Sequence, residues 1–263
     1  SRDFDYISDD NTFGEQTWEK AESRMMSMAL ERALSKAHLP PSQLGCILGG
    51  DLLNQCIGTT FALRPTNVPF LGLYGACSTM AEGLLVASCL VESGFEQTAC
   101  AITSSHFCSA ERQYRYPLEY GGQRPQTAQW TATASGAVVL QKGGMGVRIT
   151  HATPGRIADP GVTSQANMGA AMALSAYETI SRFFQDTHTG PSHYDLIVTG
   201  DLGKVGHQIV IDLFQRDGID MRPTYDDCGL LLYDGSQDVH AGGSGCGCSA
   251  AVLCSYILKA MEQ

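Results

Sequence analysis

Between Glu15 and His38, Trp18, Ala21, Met25, Met28, Ala29, Arg32 and Ala33 recur at the 3.6-residue period of one helix face. Pro40-Pro41 closes the run, so the spacing predicts a long amphipathic helix whose Met25-Met26-Met28 group packs into a core. The pattern then shortens. Cys46-Ile47-Leu48 is an apolar strand running into Gly49-Gly50-Asp51, and residues 53–63 return to helical spacing. Val68 to Tyr74 reads as a buried strand that ends in Gly75-Ala76-Cys77-Ser78. Thr79 to Glu92, rich in Ala and Leu and stopped at Gly94, is an apolar helix. Ala99 to Thr103 is the next strand and ends in Ser104-Ser105-His106. After a polar stretch from Ser109 to Pro125, Trp130–Thr133 and Ala137–Leu140 are expected to pair as two strands around Ser135-Gly136.

The order then recurs. Asn167 to Asp186 is a helix, Asp195 to Thr199 a strand into Gly200-Asp201, and Val205 to Gln215 a helix. Val239–Ala241 reads as a strand into Gly242-Gly243-Ser244-Gly245-Cys246-Gly247-Cys248-Ser249, followed by a helix from Ala250 to Met261. The Gly-Asp pairs end at positions 51 and 201, and the Cys-Ser pairs begin at 77 and 248; the longer second spacing is assigned to an insert around Arg216–Asp238. A repeat of this length implies an internally duplicated α/β fold in α/β/α layers, with halves 1–147 and 148–263. The first half opens without a strand and the second stops at a helix, so the pattern predicts a fold trimmed at both ends.

Composition narrows the partners. The 263 residues carry 17 Lys+Arg against 27 Asp+Glu, a net charge of −10, which argues against nucleic acid as the main partner. Charged residues are 17%, below the usual ~25%, and Gly is abundant at 29, so the chain is expected to be folded with many tight loops. No apolar run approaches the ~18 residues of a membrane span, and Ser1-Arg2-Asp3-Phe4-Asp5 is no secretory signal. Of ten cysteines, Cys46, Cys89, Cys100 and Cys254 lie in apolar runs and read as core thiols of a reducing compartment. Cys246-Gly-Cys248 has the wrong spacing for zinc and no second pair, so no metal site is expected.

Seven stretches are more specific. They are Gly49-Gly50-Asp51-Leu52-Leu53-Asn54-Gln55, Gly72-Leu73-Tyr74-Gly75-Ala76-Cys77-Ser78-Thr79 and Ser104-Ser105-His106. Residues 115–125 (RYPLEYGGQRP), 127–131 (TAQWT), 194–203 (YDLIVTGDLG) and 241–249 (AGGSGCGCS) complete the set. Together they make the chain resemble, along essentially its whole length, the stage V sporulation protein AD family of endospore-forming bacteria. The resemblance implies a thiolase-like fold without established condensing activity. It also implies binding of dipicolinic acid (pyridine-2,6-dicarboxylate), with or without Ca2+, and no other cofactor. The implied role is movement of dipicolinate into the forespore during sporulation and its release in germination. The implied setting is peripheral, on the cytoplasmic face of the forespore inner membrane, with other proteins of the same channel complex. A homodimer is carried over by analogy with the fold.

Cys77 ends a strand and opens a helix, a placement that favours a thiolate and turns backbone N–H groups toward an anion. It reads as a nucleophile or an anion-site thiol, against a small residue in a tight turn. Ser78 shares the turn; Ser105 and His106 end a strand, where open α/β sheets present ligand-contacting groups, although a satisfied core histidine is as good a reading. Asp201 stands where ketoacyl synthases would place a histidine, and His207 lies six residues on. The loop with Ser244, Gly245 and Cys246 offers small residues for close approach of an anion and, alternatively, simple packing. These nine residues are the expected ligand set. No catalytic residue is expected unless Cys77 serves an acyl-thioester enzyme with Asp201 or His106 as base, because the second-half loops show no histidine. The third alternative is a structural subunit with a vestigial cleft. Arg112, Arg115 and Arg124 with Tyr114, Tyr116 and Tyr120 suit a flat dicarboxylate, but a solvated loop or subunit contact is the favoured reading.

Overall fold

Thr17 starts the first helix. Its hydroxyl accepts the Lys20 N–H at 3.3 Å, and α1 (Trp18–Ala37) runs until His38, in the left-handed region at φ 53°, closes it. The structure, a computed structural model, describes residues 3–114, 124–144 and 146–262. The buried stripe of α1 is Ala21, Met25, Met26, Leu30 and Leu34, with Glu22 among them. It is rotated from the expected face: Arg32 is exposed and lays its guanidinium 4.9 Å from the Tyr6 ring.

The described residues form two compact units. One holds 3–114, 131–144, 146–150 and 245–262; the other holds 124–130 and 151–244. In the first, β1 (Cys46–Gly50), α2 (Ile57–Leu63), β2 (Phe70–Gly72), α3 (Thr79–Glu92) and β3 (Thr98–Ser105) follow in turn. With β5 (Ala134–Gln141) they give the sheet order β2-β1-β3-β5, in which β1 is parallel to β2 and β3 while β5 is antiparallel to β3. Side chains alternate across this sheet. Ile47, Cys100 and Ile102 face Met26, Leu30 and Leu34 of α1, whereas Cys46, Leu48 and Ala99 face Ala87 and Val91 of α3. The result is the expected α/β/α layering.

Several expectations change. β2 is a half-exposed edge strand, not a buried one. The polar stretch after Ser109 contains α4 (Phe107–Tyr114). β4 (Trp130–Thr131) does not pair with β5: the Trp130 N–H donates to the Gly242 carbonyl at 2.8 Å, beside β8 (Gly243–Ser244). None of the ten cysteines forms a disulfide, and burial pushes the Cys100 thiol up to about 12. Cys89, expected in the core, is exposed.

In the second unit, α5 (Met168–Thr187) crosses α6 (Gly203–Arg216) at two glycines. A methyl on Gly169 would meet the Leu202 carbonyl at 2.1 Å, and one on Gly206 the Gly169 carbonyl at 2.5 Å. β6 (Ile197–Thr199) pairs in parallel with β7 (Tyr225–Asp227), as β1 does with β2. β7 lies inside the stretch read as an insert. The extra residues therefore follow the strand, starting with α7 (Cys228–Leu231), and Val239–Ala241 is not a strand. The last helix, in the first unit, begins earlier than expected: α8 (Cys246–Val252) continues through a π turn (Leu253–Ile257) into α9 (Leu258–Met261).

Candidate functional site

In the first unit the carboxyl ends of β1, β2 and β3 and the starts of α3 and α8 share one end of the sheet. After β2 the chain makes a 3-10 turn, Ala76–Ser78, with Ala76 at φ 47°, before α3 begins at Thr79. Two hydroxyls tie this turn: Ser78 Oγ donates to the Gly75 carbonyl (2.8 Å) and Thr79 Oγ1 to the Ala76 carbonyl (2.7 Å). Cys77 is half-buried at its centre, and α8 packs against the turn. Ser78 is exposed, its hydroxyl already used within the turn.

Ser105, wholly buried, joins β3 to α8. Its Oγ donates to the Ala132 carbonyl (2.7 Å) and accepts the Gly247 N–H (3.1 Å). Cys246, also buried, donates its Sγ hydrogen to the Ser104 carbonyl at 2.9 Å. Gly245, at φ 94°, leaves so little room that a methyl on it would meet Ser105 Oγ at 2.9 Å. The structure thus brings Cys77, Ser78, Ser105, Gly245 and Cys246 to one strand-end face.

His106 follows Ser105 but turns away. Its Nδ1 accepts the Cys108 N–H (3.2 Å), so its Nε2–H donates to the Asn11 carbonyl (2.8 Å), and its ring lies 5.4 Å from Trp18. Burial lowers its pKa. Both nitrogens are engaged, which is the satisfied core histidine of the alternative reading.

The sequence reading missed two buried carboxyls at this end. Asp51 accepts the Leu53 N–H (2.8 Å), the Thr59 N–H (2.7 Å) and the Thr59 hydroxyl (2.5 Å). Glu22 of α1 sits beside it, and a methyl on Gly58 would touch both carboxyls, at 3.3 and 3.5 Å. Burial raises both pKa values, Glu22 to about 8 with help from the Asp51 charge. The signal for Glu22 was its place in the row Glu22, Met26, Leu30, Leu34, four residues apart along an otherwise apolar face. Nearby, a groove of about 360 Å³ is lined by Glu19, Leu53, Asn54, Ile57 and α4 residues Ser109, Arg112 and Gln113. Arg112 pairs there with Glu19.

The remaining expected residues belong to the second unit. Asp201 is buried; its Oδ2 accepts the Ser244 hydroxyl at 3.4 Å and its carbonyl the Gln129 Nε2–H at 2.7 Å. His207 is placed elsewhere, stacked 4.6 Å from the Tyr225 ring. Arg124 lies 4.3 Å over the Trp130 ring. Arg115, Tyr116 and Tyr120 fall outside the described residues.

The profile of stage V sporulation protein AD matches residues 1–263. The chain belongs to the stage V sporulation protein AD family. The relative of that name from Bacillus subtilis (strain 168) is 46% identical over 260 residues, 99% of this chain and 77% of the relative. Among solved structures, AbyA1, a tetronic acid condensing enzyme, aligns with TM-score 0.62 at 15% identity, over 92% of this chain and 74% of its own. A 3-oxoacyl-(acyl carrier protein) synthase III from Aquifex aeolicus VF5 aligns with TM-score 0.58 at 15% identity, over 94% and 77%. OleA of Xanthomonas campestris with cerulenin aligns with TM-score 0.61 at 13% identity, over 91% and 72%. The fold is thiolase-like, of the condensing-enzyme type, and the family is one of sporulation proteins.

Proposed function

We propose that the chain binds dipicolinate at the strand-end face built from the Cys77 turn, Ser105 and the start of α8. It thereby takes part in moving dipicolinate into the forespore and releasing it in germination. The observation that supports this most is the packing of the Cys77 turn against α8 beside buried Ser105, in a member of a sporulation family. The first N–H groups of α3, a 14-residue helix, are donors suited to a carboxylate. The ligand we propose there is dipicolinate with Ca2+ as its companion. The setting we propose is the cytoplasmic face of the forespore inner membrane, reached through other proteins of the channel complex, with the chain as a homodimer. No helix among the described residues is long and apolar enough to cross a membrane.

Cys77→Ala should weaken dipicolinate binding by roughly three- to tenfold, about 0.7–1.4 kcal/mol, in equilibrium dialysis. An unchanged affinity would remove Cys77 from the site. The condensing-enzyme fold and a cysteine at a strand-to-helix turn favour a second reading, an acyl-thioester enzyme. After incubation with acetyl-CoA the intact mass should stay unchanged; a gain of about 42 Da that Cys77→Ala abolishes would establish the second reading instead.

A further inference from the structure

Ser109 Oγ lies 2.7 Å from Glu22 Oε2 and 3.1 Å from the His106 carbonyl oxygen. Both are acceptors when Glu22 is ionised, and a hydroxyl has one hydrogen to give. A carboxylic acid resolves the conflict: Glu22 Oε2–H donates to Ser109, Ser109 donates to the His106 carbonyl, and Glu22 Oε1 accepts the Ser104 hydroxyl at 3.0 Å. Asp51 beside it accepts hydrogens from the Leu53 N–H and from the N–H and hydroxyl of Thr59, as a carboxylate does. We infer that Glu22 is kept as a neutral acid whose hydrogen passes to Ser109, and that losing this proton turns the Ser109 hydroxyl from the His106 carbonyl to Glu22 and sets two buried carboxylates side by side.

Every element packed against Glu22 enters this balance. Asp51 follows β1, Thr59 of α2 is hydrogen-bonded to Asp51, Ser104 lies in β3 and neutral His106 follows that strand. On α4, Glu111 accepts the Thr131 hydroxyl, while Arg112 pairs with Glu19 of α1, and among the described residues no cation pairs with Glu22. When Glu22 ionises, its charge adds to that of Asp51 and draws the Ser109 hydrogen away from the His106 carbonyl, which then keeps the Ala110 N–H (3.0 Å). The raised pKa of Glu22, about 8, places that event just above neutrality. The sign follows. The folded state holds this proton more tightly than the unfolded chain does, so the stability it contributes is whole below the ordinary glutamate value of 4.5 and declines as pH rises to about 8.

The test uses the whole chain and three readouts. Infrared spectra at pH 7 should show a protonated-carboxyl C=O band that is lost as pH passes 8, is missing in Glu22→Gln and is shifted in Ser109→Ala. Hydrogen exchange of the Ala110 amide, corrected for its intrinsic pH dependence, should lose roughly tenfold protection between pH 7 and 9 in the wild type and little in Glu22→Gln. The decline of the urea midpoint from pH 5 to 8 should be shallower in Glu22→Gln. A pH 7 spectrum without a carboxyl band, a band unmoved by Ser109→Ala, or equal pH profiles in wild type and Glu22→Gln would each overturn the inference. Ser109→Ala leaves Glu22 in place, so the infrared readout decides even if Glu22→Gln does not fold.

Discussion

Asp227→Ala is expected to destabilise the second unit by about 3–5 kcal/mol, a large share of the 5–15 kcal/mol typical of a folded domain. Asp227 is wholly buried and accepts four hydrogen bonds: Thr199 Oγ1 (2.7 Å), Leu202 N–H (2.8 Å), Gly203 N–H (2.9 Å) and Gly229 N–H (2.9 Å). It therefore ties β6, the start of α6 and α7 to the end of β7. Burial raises its pKa against these hydrogen bonds, which lower it. Without the carboxylate, three backbone donors are left in the interior, each costing about 1–3 kcal/mol. Asp227→Asn should recover little, because its amide presents hydrogens where the Leu202 N–H also points one. Urea unfolding followed by far-UV circular dichroism measures this, and a loss below about 1 kcal/mol would contradict the account.

Gly247→Ala should be nearly as severe and should reach the ligand site as well. A methyl there would lie 2.3 Å from the Ala134 carbonyl oxygen, 2.6 Å from Ser105 Oγ and 2.8 Å from the Ser105 nitrogen. Two of the three are backbone atoms, so α8 must move away from β3 and β5. Overpacking of this kind costs about 1–3 kcal/mol, and the displaced Gly247 N–H also loses Ser105. Moving α8 moves the elements that flank Cys77. The variant should melt lower by several degrees and bind dipicolinate at least about tenfold more weakly, whereas Gly235→Ala, with nothing around its methyl, should do neither. Equal melting temperatures would mean that α8 has freedom the packing denies it.

The elements whose order follows from local pattern were legible. Thr79–Glu92 has the expected bounds because its Ala and Leu run needs only the turn at Cys77 and the stop at Gly94. The misreadings share a cause in distant partners. Ala137–Leu140 finds its partner in β3, with Val139 opposite Cys100, and not in the adjacent Trp130. Tyr225-Asp226-Asp227 looks too acidic for a strand until Asp227 meets the N–H groups of Leu202 and Gly203. α4 hides in a polar stretch because its first turn is secured by His106, Glu22 and Thr133 rather than by its own composition. For the site, the Cys77 turn and the Gly245–Cys246 loop were visible as repeats of one another. Asp51 was quoted only as part of a turn. Glu22 was marked only by standing in the apolar row of Met26, Leu30 and Leu34, because its partners Ser104 and Ser109 lie more than eighty residues away.

Calorimetric titration of the whole chain with dipicolinate, beside a parallel titration with acetyl-CoA, tests the central claim most directly. Dipicolinate should give a saturable heat that is reduced in Cys77→Ala, and acetyl-CoA should give none. No heat with dipicolinate, or a saturable heat with acetyl-CoA alone, would contradict it.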